Sequence, residues 1–188
     1  MGYLKAYYDG ITRLSAREWD YIASRFSRQV FPKGETITRQ GCIEQYLYFL
    51  EEGIVRSFIP DDERELTFHF SFQKTFACAY DSFLTRLPSG YTLEAMTKTI
   101  AWRISYEALQ AVYENTQVGN YIGRFAAEQL FLSKSRRELS LLQQTATARY
   151  LQLISDQPQM FQEVPLKYIA SYIGITPQAL SRIRRRIC

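Results

Sequence analysis

The side chains best suited to bind bases or phosphates lie close together near the C-terminal end of the sequence. Gln178 and Arg182 are four residues apart, and three consecutive arginines follow at 184–186. Glutamine can form two hydrogen bonds with adenine, and arginine can form two with the O6 and N7 of guanine. The consecutive arginines are better suited to phosphate oxygens, which position a protein on a duplex without reading its sequence.

The distribution of charge agrees with this chemistry. The 188 residues carry a formal net charge of +4. Residues 134–188 contain nine basic and three acidic side chains, whereas residues 1–133 contain 14 basic and 16 acidic side chains. All of the excess positive charge therefore lies in the last third of the chain, which favours a polyanionic partner such as nucleic acid. A basic, solvated segment without a partner is the alternative.

The residues around these side chains predict a helix-turn-helix. Residues 166–173 resemble a short helix, Gly174 suits a left-handed turn, and residues 177–186 resemble a second helix. Thr176 is a suitable N-cap, and Pro177 suits the first helical position, where no N–H is needed. The expected buried contacts are Ile169, Ala170, Ile173, Ile175, Leu180 and Ile183. An ordinary helical hairpin is the alternative.

In such a motif the second helix enters the major groove with its N-terminal half against the base edges. We therefore expect Gln178, Ser181 and Arg182 to contact bases. The expected phosphate contacts are Lys167, Thr176, Arg184, Arg185 and Arg186. Because one helix-turn-helix reads only a few base pairs, a twofold dimer on a palindromic operator is the natural arrangement.

A proline-free stretch from about 117 to 155 predicts two helices that break near residues 143–145. Spacings of four and three place Val118, Ile122, Phe125, Gln129, Leu132, Arg136 and Leu139 on one imperfect coiled-coil stripe. The expected dimer seam within this stripe is Val118, Ile122, Phe125, Leu132 and Leu139. Packing of the stripe within its own chain is the alternative.

The first part of the chain has a different pattern. Ser15 and Glu18 form a capping box that opens a short amphipathic helix. After residue 35, short apolar runs alternate with turns, one of them at residues 61–64. The runs with β character are 46–50, 54–59, 66–72, 91–95 and 99–105. Many short strands at near-regular spacing predict a β-sandwich or barrel.

Metal and nucleophilic chemistry has little support. His69 is the only histidine, and the cysteines Cys42, Cys78 and Cys188 lack C-x-x-C spacing. Neither a multi-histidine metal site nor a Cys-ligated cluster is expected, so we expect no metal, no cofactor and no enzymatic activity. A cupin-type enzyme would need several histidines. The number of cysteines and histidines alone leaves open a catalytic pair of one cysteine with the histidine.

Composition restricts the class of protein further. Aromatic residues make up 15% of the sequence and no segment is of low complexity, which argues against a disordered chain. No apolar run reaches the roughly 18 residues that a membrane span needs. The first residues lack the order of a secretion signal. We therefore expect a cytoplasmic protein with no membrane partner.

The order of these parts resembles the cyclic-AMP receptor protein/Fnr (Crp/Fnr) family of bacterial transcription regulators. Residues 31–56 are similar to its opening β-roll pattern, and residues 173–183 to its DNA-reading segment. The resemblance implies an α+β fold: a cyclic-nucleotide-binding-like jelly roll in residues 1–115, a long dimerisation helix in 116–143, and a winged-type helix-turn-helix in 144–188. It implies DNA and a second copy as partners, and it admits RNA polymerase.

The sequence departs from the family pattern at both ends. Gln178 stands at the family's Glu position and Arg182 at its later Arg, but Pro177 replaces the first Arg, so a different operator is expected. The cyclic-nucleotide phosphate cassette is missing: residues 76–83 lack a Gly-Glu pair, and residues 90–92 are Gly-Tyr-Thr where an Arg triplet would stand. A buried phosphate without its cation is poorly compensated, so cyclic AMP is not expected.

Position within the resemblance suggests where another small ligand would bind. The candidate lining is Tyr80, Asp81, Ser82, Tyr91 and Thr92, closed by Phe125 and Gln129. A domain that no longer senses is the alternative, and a haem ligand at His69 or Cys78 stays open. The expected function is a dimeric, sequence-specific DNA-binding transcription regulator. A ligand-binding module with a vestigial DNA-binding head is the second hypothesis.

Overall fold

The computed structural model describes residues 1–61 and 65–187. Most of the turn expected at residues 61–64, together with Cys188, lies outside the described residues. The chain begins with α1 (Gly2–Asp9) and α2 (Ala16–Ala23). The capping box is confirmed: the Ser15 hydroxyl accepts from the Glu18 N–H at 3.2 Å, and the Glu18 carboxylate accepts from the Ser15 N–H at 3.1 Å.

Eight strands follow in the described residues and form two four-stranded sheets. They are β1 (Ser27–Phe31), β2 (Thr36–Thr38), β3 (Tyr46–Glu52), β4 (Val55–Ile59), β5 (Leu66–Ser71), β6 (Phe76–Ala77), β7 (Thr92–Ala95) and β8 (Thr99–Ser105). The sheet orders are β1-β8-β3-β6 and β2-β7-β4-β5, and the strand pairs are antiparallel. A short helix, α3 (Tyr80–Thr85), connects the sixth and seventh strands. The expected α+β jelly-roll-like architecture is confirmed.

The tight connection between the third and fourth strands depends on one glycine. Gly53 has a φ of +97°, and a Cβ there would lie 2.6 Å from the Lys98 carbonyl oxygen and 2.6 Å from the Thr99 Oγ1. Both the left-handed backbone and the close approach exclude a side chain. This residue therefore lets β3 turn into β4 at the point where one sheet passes into the other.

Helices make up the rest of the described chain. They are α4 (Tyr106–Asn115), α5 (Gly119–Gln143), α6 (Ala146–Asp156), α7 (Met160–Glu163), α8 (Leu166–Tyr172) and α9 (Pro177–Ile187). The expected break is confirmed, because Gln144 is extended and Thr145 caps α6 by accepting from the Ala148 N–H at 3.2 Å. Within residues 65–187 no strand follows β8, so the winged form of the motif is not observed: residues from Tyr106 onward have helical spacing.

Three apolar clusters hold these elements together. One lies between the two sheets around Leu50 and Leu93, and a second joins the N-terminal helices to α4 and the start of α5. The third combines Phe70 and Met96 of the β-domain with residues of α6–α9 such as Ile169. The C-terminal helices therefore share a core with the β-domain and do not form a separate body.

Candidate nucleic-acid interface and ligand cavity

Helices α8 and α9 are joined by the short turn that the sequence predicts. Gly174 has a φ of +79°, and the Ile175 N–H donates to the Ala170 carbonyl at 3.0 Å. The Thr176 hydroxyl accepts from the Ala179 N–H at 3.2 Å and so caps α9. These bonds satisfy backbone groups that the chain reversal would otherwise leave unpaired.

The apolar residues of the helix pair face inward. Ile169, Ala170, Ile173 and Leu180 are at most 2% exposed, and Ile175 and Ile183 pack against the same cluster. Burial of this face fixes which side of α9 remains outside. The outward side carries the six side chains that the sequence analysis selects on this helix: Gln178, Ser181, Arg182, Arg184, Arg185 and Arg186 are all exposed.

Two further candidates, Lys167 and Thr176, are exposed but do not face open solvent on all sides. Both line a cleft of about 600 Å³ whose opposite wall is Glu65 and Leu66, at the start of β5. The N-terminal end of α9 is therefore next to an acidic side chain of the β-domain. The sequence gives no signal for this contact, because the facing residues are about a hundred positions apart.

The residues of the expected dimer seam fall into two groups that differ in how far they are buried. Ile122 is 7% exposed and packs in the N-terminal apolar cluster, so it is not available to a partner, and Val118 is half-buried against the same cluster. This corrects the expectation for Ile122: helical spacing shows that a stripe is apolar but not what covers it. Phe125 is half-buried, whereas Leu132 and Leu139 are each 47% exposed.

The structure adds exposed apolar residues that the seam did not include. Phe131 is 71% exposed and Leu142 is 76% exposed. Together with Leu132 and Leu139 they leave the C-terminal half of α5 with an uncovered apolar surface, which we call the α5 patch. Large apolar side chains that stay exposed in a group mark an interaction surface more often than a solvated one.

A cavity of about 760 Å³ lies between the β-domain and helices α4 and α5. Four of the seven candidate ligand residues line it: Tyr80, Asp81, Tyr91 and Gln129. The other three do not. Ser82 and Thr92 are buried and have structural roles, because each accepts a backbone N–H, from Glu44 at 3.0 Å and from Gln40 at 3.1 Å respectively. Phe125 does not reach the cavity.

The rest of the cavity wall is mainly aromatic and aliphatic. Residues that the sequence analysis did not select for this site include Phe68, His69, Phe76, Cys78, Leu109, Val112, Tyr113, Gly123, Ala126, Leu130 and Lys134. Phe68 and His69 belong to β5, where a β-like run was predicted. The direction in which each side chain points depends on a register that the sequence leaves open.

Among the described residues of the cavity wall, Asp81 and Lys134 carry charge and the other polar groups are neutral. The Tyr91 hydroxyl donates to the Asp81 carboxylate at 2.8 Å. Burial is the larger cause of the raised pKa of Tyr91, and this hydrogen bond is the second. Burial, aided by the charges of Lys134 and Arg137, lowers the pKa of His69 to about 4. The cavity therefore contains a neutral imidazole at pH 7.

Cys78 does not have the properties of a nucleophile. Its thiol donates to the Tyr46 carbonyl at 3.4 Å, and burial together with the nearby Glu44 raises its pKa well above the ordinary value. Since the thiolate is the reactive form, Cys78 is an inert thiol at neutral pH. Among the described residues no group of three or more His, Cys, Asp or Glu side chains is arranged to hold a metal ion.

Comparisons with known proteins agree with this architecture. Residues 28–116 match the family model of the cyclic nucleotide-binding domain. The resemblance to Crp/Fnr regulators is confirmed at the level of the fold by the following solved structures. A protein from Eubacterium rectale, described as a transcriptional regulator of the Crp/Fnr family, superposes with a TM-score of 0.71 at 19% identity, over 99% of this chain and 87% of that chain.

Two other Crp/Fnr-like structures give similar values. The c-di-GMP-responsive global regulator CLP of Xanthomonas campestris has a TM-score of 0.69 at 21% identity, over 92% of this chain and 91% of its own. FixK2 of Bradyrhizobium japonicum has a TM-score of 0.68 at 19% identity, over 86% of this chain and 84% of its own. A comparison with curated protein sequences gives no match.

The lengths and hydropathies of the helices show whether any of them could cross a membrane. None of those in residues 1–61 and 65–187 combines the length and the hydropathy that a membrane crossing requires.

Proposed function

We propose that this protein is a dimeric, sequence-specific DNA-binding transcription regulator of the Crp/Fnr type that acts in the cytoplasm and whose effector is not a cyclic nucleotide. The observation that carries the proposal is the solvent-facing side of α9. Gln178, Ser181 and Arg182 lie outside while Leu180 on the same helix is 1% exposed. Base-reading side chains are thus presented on a helix whose other face is fixed by packing.

The arginines of α9 divide into two roles by position. Arg182 is near the middle of the helix, where it can reach base edges, and Gln178 precedes it by one turn. Arg184, Arg185 and Arg186 lie in the last turn, where contact with phosphates is expected. Lys167 and Thr176 are the further phosphate contacts in this arrangement.

The α5 patch supports the dimer. Burying a leucine fully contributes about 1.5–3 kcal/mol, and each protomer would contribute Leu132 and Leu139 to a parallel pairing of the two α5 helices. Such a dimer presents two copies of α9 and therefore reads a palindromic operator with half-sites about one helical turn apart. RNA polymerase is a further candidate partner of such a regulator.

The cavity supports an effector of a different chemical class from cyclic AMP. Among the described residues that line it there is no arginine, and the lysine Lys134 is accompanied by the carboxylate of Asp81. Its walls favour a mainly apolar molecule instead. An effector would act by favouring one arrangement of the α5 helices, which sets the spacing of the two DNA-reading helices.

Selection of bound fragments from genomic DNA, followed by gel-shift titration of the selected sequence, tests the proposal. Arg182→Ala should weaken binding to the selected site by about 5- to 150-fold, because a bidentate arginine–guanine contact contributes about 1–3 kcal/mol. Arg17→Ala, which removes an exposed arginine of α2, is the matched control and should bind like the original protein. If no fragment is preferred at moderate salt, the vestigial-head hypothesis replaces this one.

A further inference from the structure

The cavity beside α5 follows the axis of that helix over four turns. The α5 residues that line it recur on one face of the helix: Gly119, Ile122, Gly123, Ala126, Gln129, Leu130, Ser133 and Lys134. Because a helix rises about 1.5 Å per residue, this face is about 22 Å long. The cavity is therefore elongated and has two distinct ends, and we call it the α5 channel.

The end of the α5 channel near the start of α5 is apolar and narrow. Helices α1, α2 and α4 line it through Tyr8, Ile22 and Leu109. Ile22 is 1% exposed and Leu109 is 6% exposed, so these side chains leave little space between them. The wall is also close at Gly123, where a Cβ would lie 2.9 Å from the Tyr113 ring. A slim, flexible chain fits this end better than a ring system does.

The other end of the α5 channel is polar and positively charged. Lys134 is exposed there, its Nζ lies 5.8 Å from the centre of the Phe68 ring, and it forms no ion pair within residues 1–61 and 65–187. In the same residues neither ring nitrogen of the neighbouring His69 has a hydrogen-bond partner. This end therefore offers a cation and a neutral imidazole N–H, both of which can be used by a negatively charged group.

The carboxylate in the channel wall does not neutralise this cation directly. Asp81 accepts a hydrogen bond from the Tyr91 hydroxyl at 2.8 Å, and among the described residues it forms no ion pair with Lys134. The contacts lead from Lys134 to the Phe68 ring, from there to the Tyr91 ring at 4.9 Å, and only then to Asp81. The charge of Lys134 is therefore available to a ligand.

We propose that the α5 channel binds a long, single-chain amphiphile with an acidic headgroup, such as a long-chain carboxylate. The chain lies toward α1 and α2, and the headgroup lies at Lys134 and His69. This inference rests on the proposed function, because it names the chemical class of the effector. The apolar end removes the chain from water, and the polar end pairs the acid with a cation and a hydrogen-bond donor.

The chain and the headgroup of such a ligand differ in how much they contribute. Each methylene that enters the apolar end should tighten binding by about fourfold until the α5 channel is filled. An ion pair at an exposed lysine contributes much less, up to about fivefold in total. Most of the affinity therefore comes from the chain, and the headgroup determines which way round the molecule binds.

Titration calorimetry of the full chain, freed of lipid, with palmitate and decanoate below micelle formation tests the chain end. Palmitate should bind with one molecule per chain and at least about a hundredfold more tightly than the shorter decanoate. Ala126→Leu enlarges a side chain of the channel wall and should weaken palmitate binding by at least about tenfold. Ala127→Leu makes the same change at an exposed position of α5 and should bind palmitate like the original protein.

The surface variant Lys134→Met tests the headgroup end. It should weaken binding of palmitate by about fivefold and leave binding of hexadecanol, which has the same chain without the charge, unchanged. Lys134→Arg keeps the charge and should restore palmitate binding.

The proposal is overturned if palmitate does not bind, if Ala126→Leu binds it like the original protein, or if Lys134→Met does not distinguish palmitate from hexadecanol. These titrations contain no DNA, and Arg182→Ala should bind palmitate like the original protein. A failure of the proposed DNA binding would therefore leave the palmitate results unchanged, so the two failures are distinguishable.

Discussion

The hydroxyl of Tyr91 donates a 2.8 Å hydrogen bond to the carboxylate of Asp81, across the part of the β-roll where the family resemblance places a phosphate-binding arginine triplet. The Tyr91 ring also packs edge-on against Phe68 at 4.9 Å. The position at which the resemblance implies an arginine thus holds a phenol that is paired with an acidic group.

We therefore predict that cyclic AMP does not bind. Addition of millimolar cyclic AMP should leave the melting temperature unchanged. A ligand that binds only the folded state would instead raise it, since at a hundred times its Kd it stabilises the fold by about 2.7 kcal/mol. A saturable rise in melting temperature contradicts the prediction. Cyclic GMP serves as a second probe, since it carries the same phosphate.

The α5 patch predicts that two leucine substitutions convert the proposed dimer to a monomer. The combined change of Leu132→Asp and Leu139→Asp should weaken self-association by at least about a hundredfold, because it places four carboxylates in the seam of each dimer. Sedimentation velocity at micromolar concentration measures this. Leu87→Asp changes a leucine of the β-domain that is 63% exposed, and this variant should remain dimeric. If the double variant remains dimeric, the α5 patch is not the interface.

Arg185 is predicted to contribute affinity without specificity. Arg185→Ala should weaken binding to selected and unrelated DNA by a similar factor, and it should reduce the slope of log K against log salt by about one. Titrations at four salt concentrations measure both effects. A loss confined to the selected sequence would instead assign Arg185 to base reading.

The neutral His69 predicts a dependence of folding stability on pH. Its pKa is about 4 in the folded chain and has its ordinary value of 6.5 in the unfolded chain. Between these values the unfolded state binds more protons, so stability is complete above pH 6.5 and falls as the pH drops toward 4. The loss should approach roughly 2–3 kcal/mol at pH 4, from 1.36 kcal/mol per pKa unit.

The variant His69→Asn isolates this contribution. Urea unfolding at pH 7 and at pH 4.5 should show a smaller loss of stability for the variant than for the original protein, because the sequence has no other histidine. Equal losses would mean that the pKa of His69 is the same in the folded and the unfolded chain, which would contradict its lowered value in the cavity.

Local chemistry allowed much of the architecture to be predicted from the sequence. The cap at Thr176, the left-handed Gly174 and the capping box at Ser15 each depend on a few neighbouring residues, and the structure has all three. The break after α5 and most of the strands follow from the same kind of short-range pattern. Such features are encoded within about four residues of where they occur.

The features that were not predicted depend on long-range packing. Val118 and Ile122 fit the helical stripe of the seam, yet they cover the chain's own N-terminal cluster. The bond between Ser171 and the Thr67 amide joins residues 104 positions apart, and spacing along a helix carries no information about it. The composition of the cavity wall also depends on long-range packing, since the wall combines residues of β5 with residues of α4 and α5.

The reading of one duplex by two copies of α9 is tested most directly by changing the distance between the half-sites of the selected operator. Two copies of α9 that lie about 34 Å apart bind half-sites one helical turn apart on the same face of B-DNA. Insertion of five base pairs between the half-sites should reduce the affinity to that of a single half-site, while insertion of an unrelated sequence outside them should have no effect. Equal affinity for the original and the five-base-pair insertion would contradict a dimer that reads a palindrome.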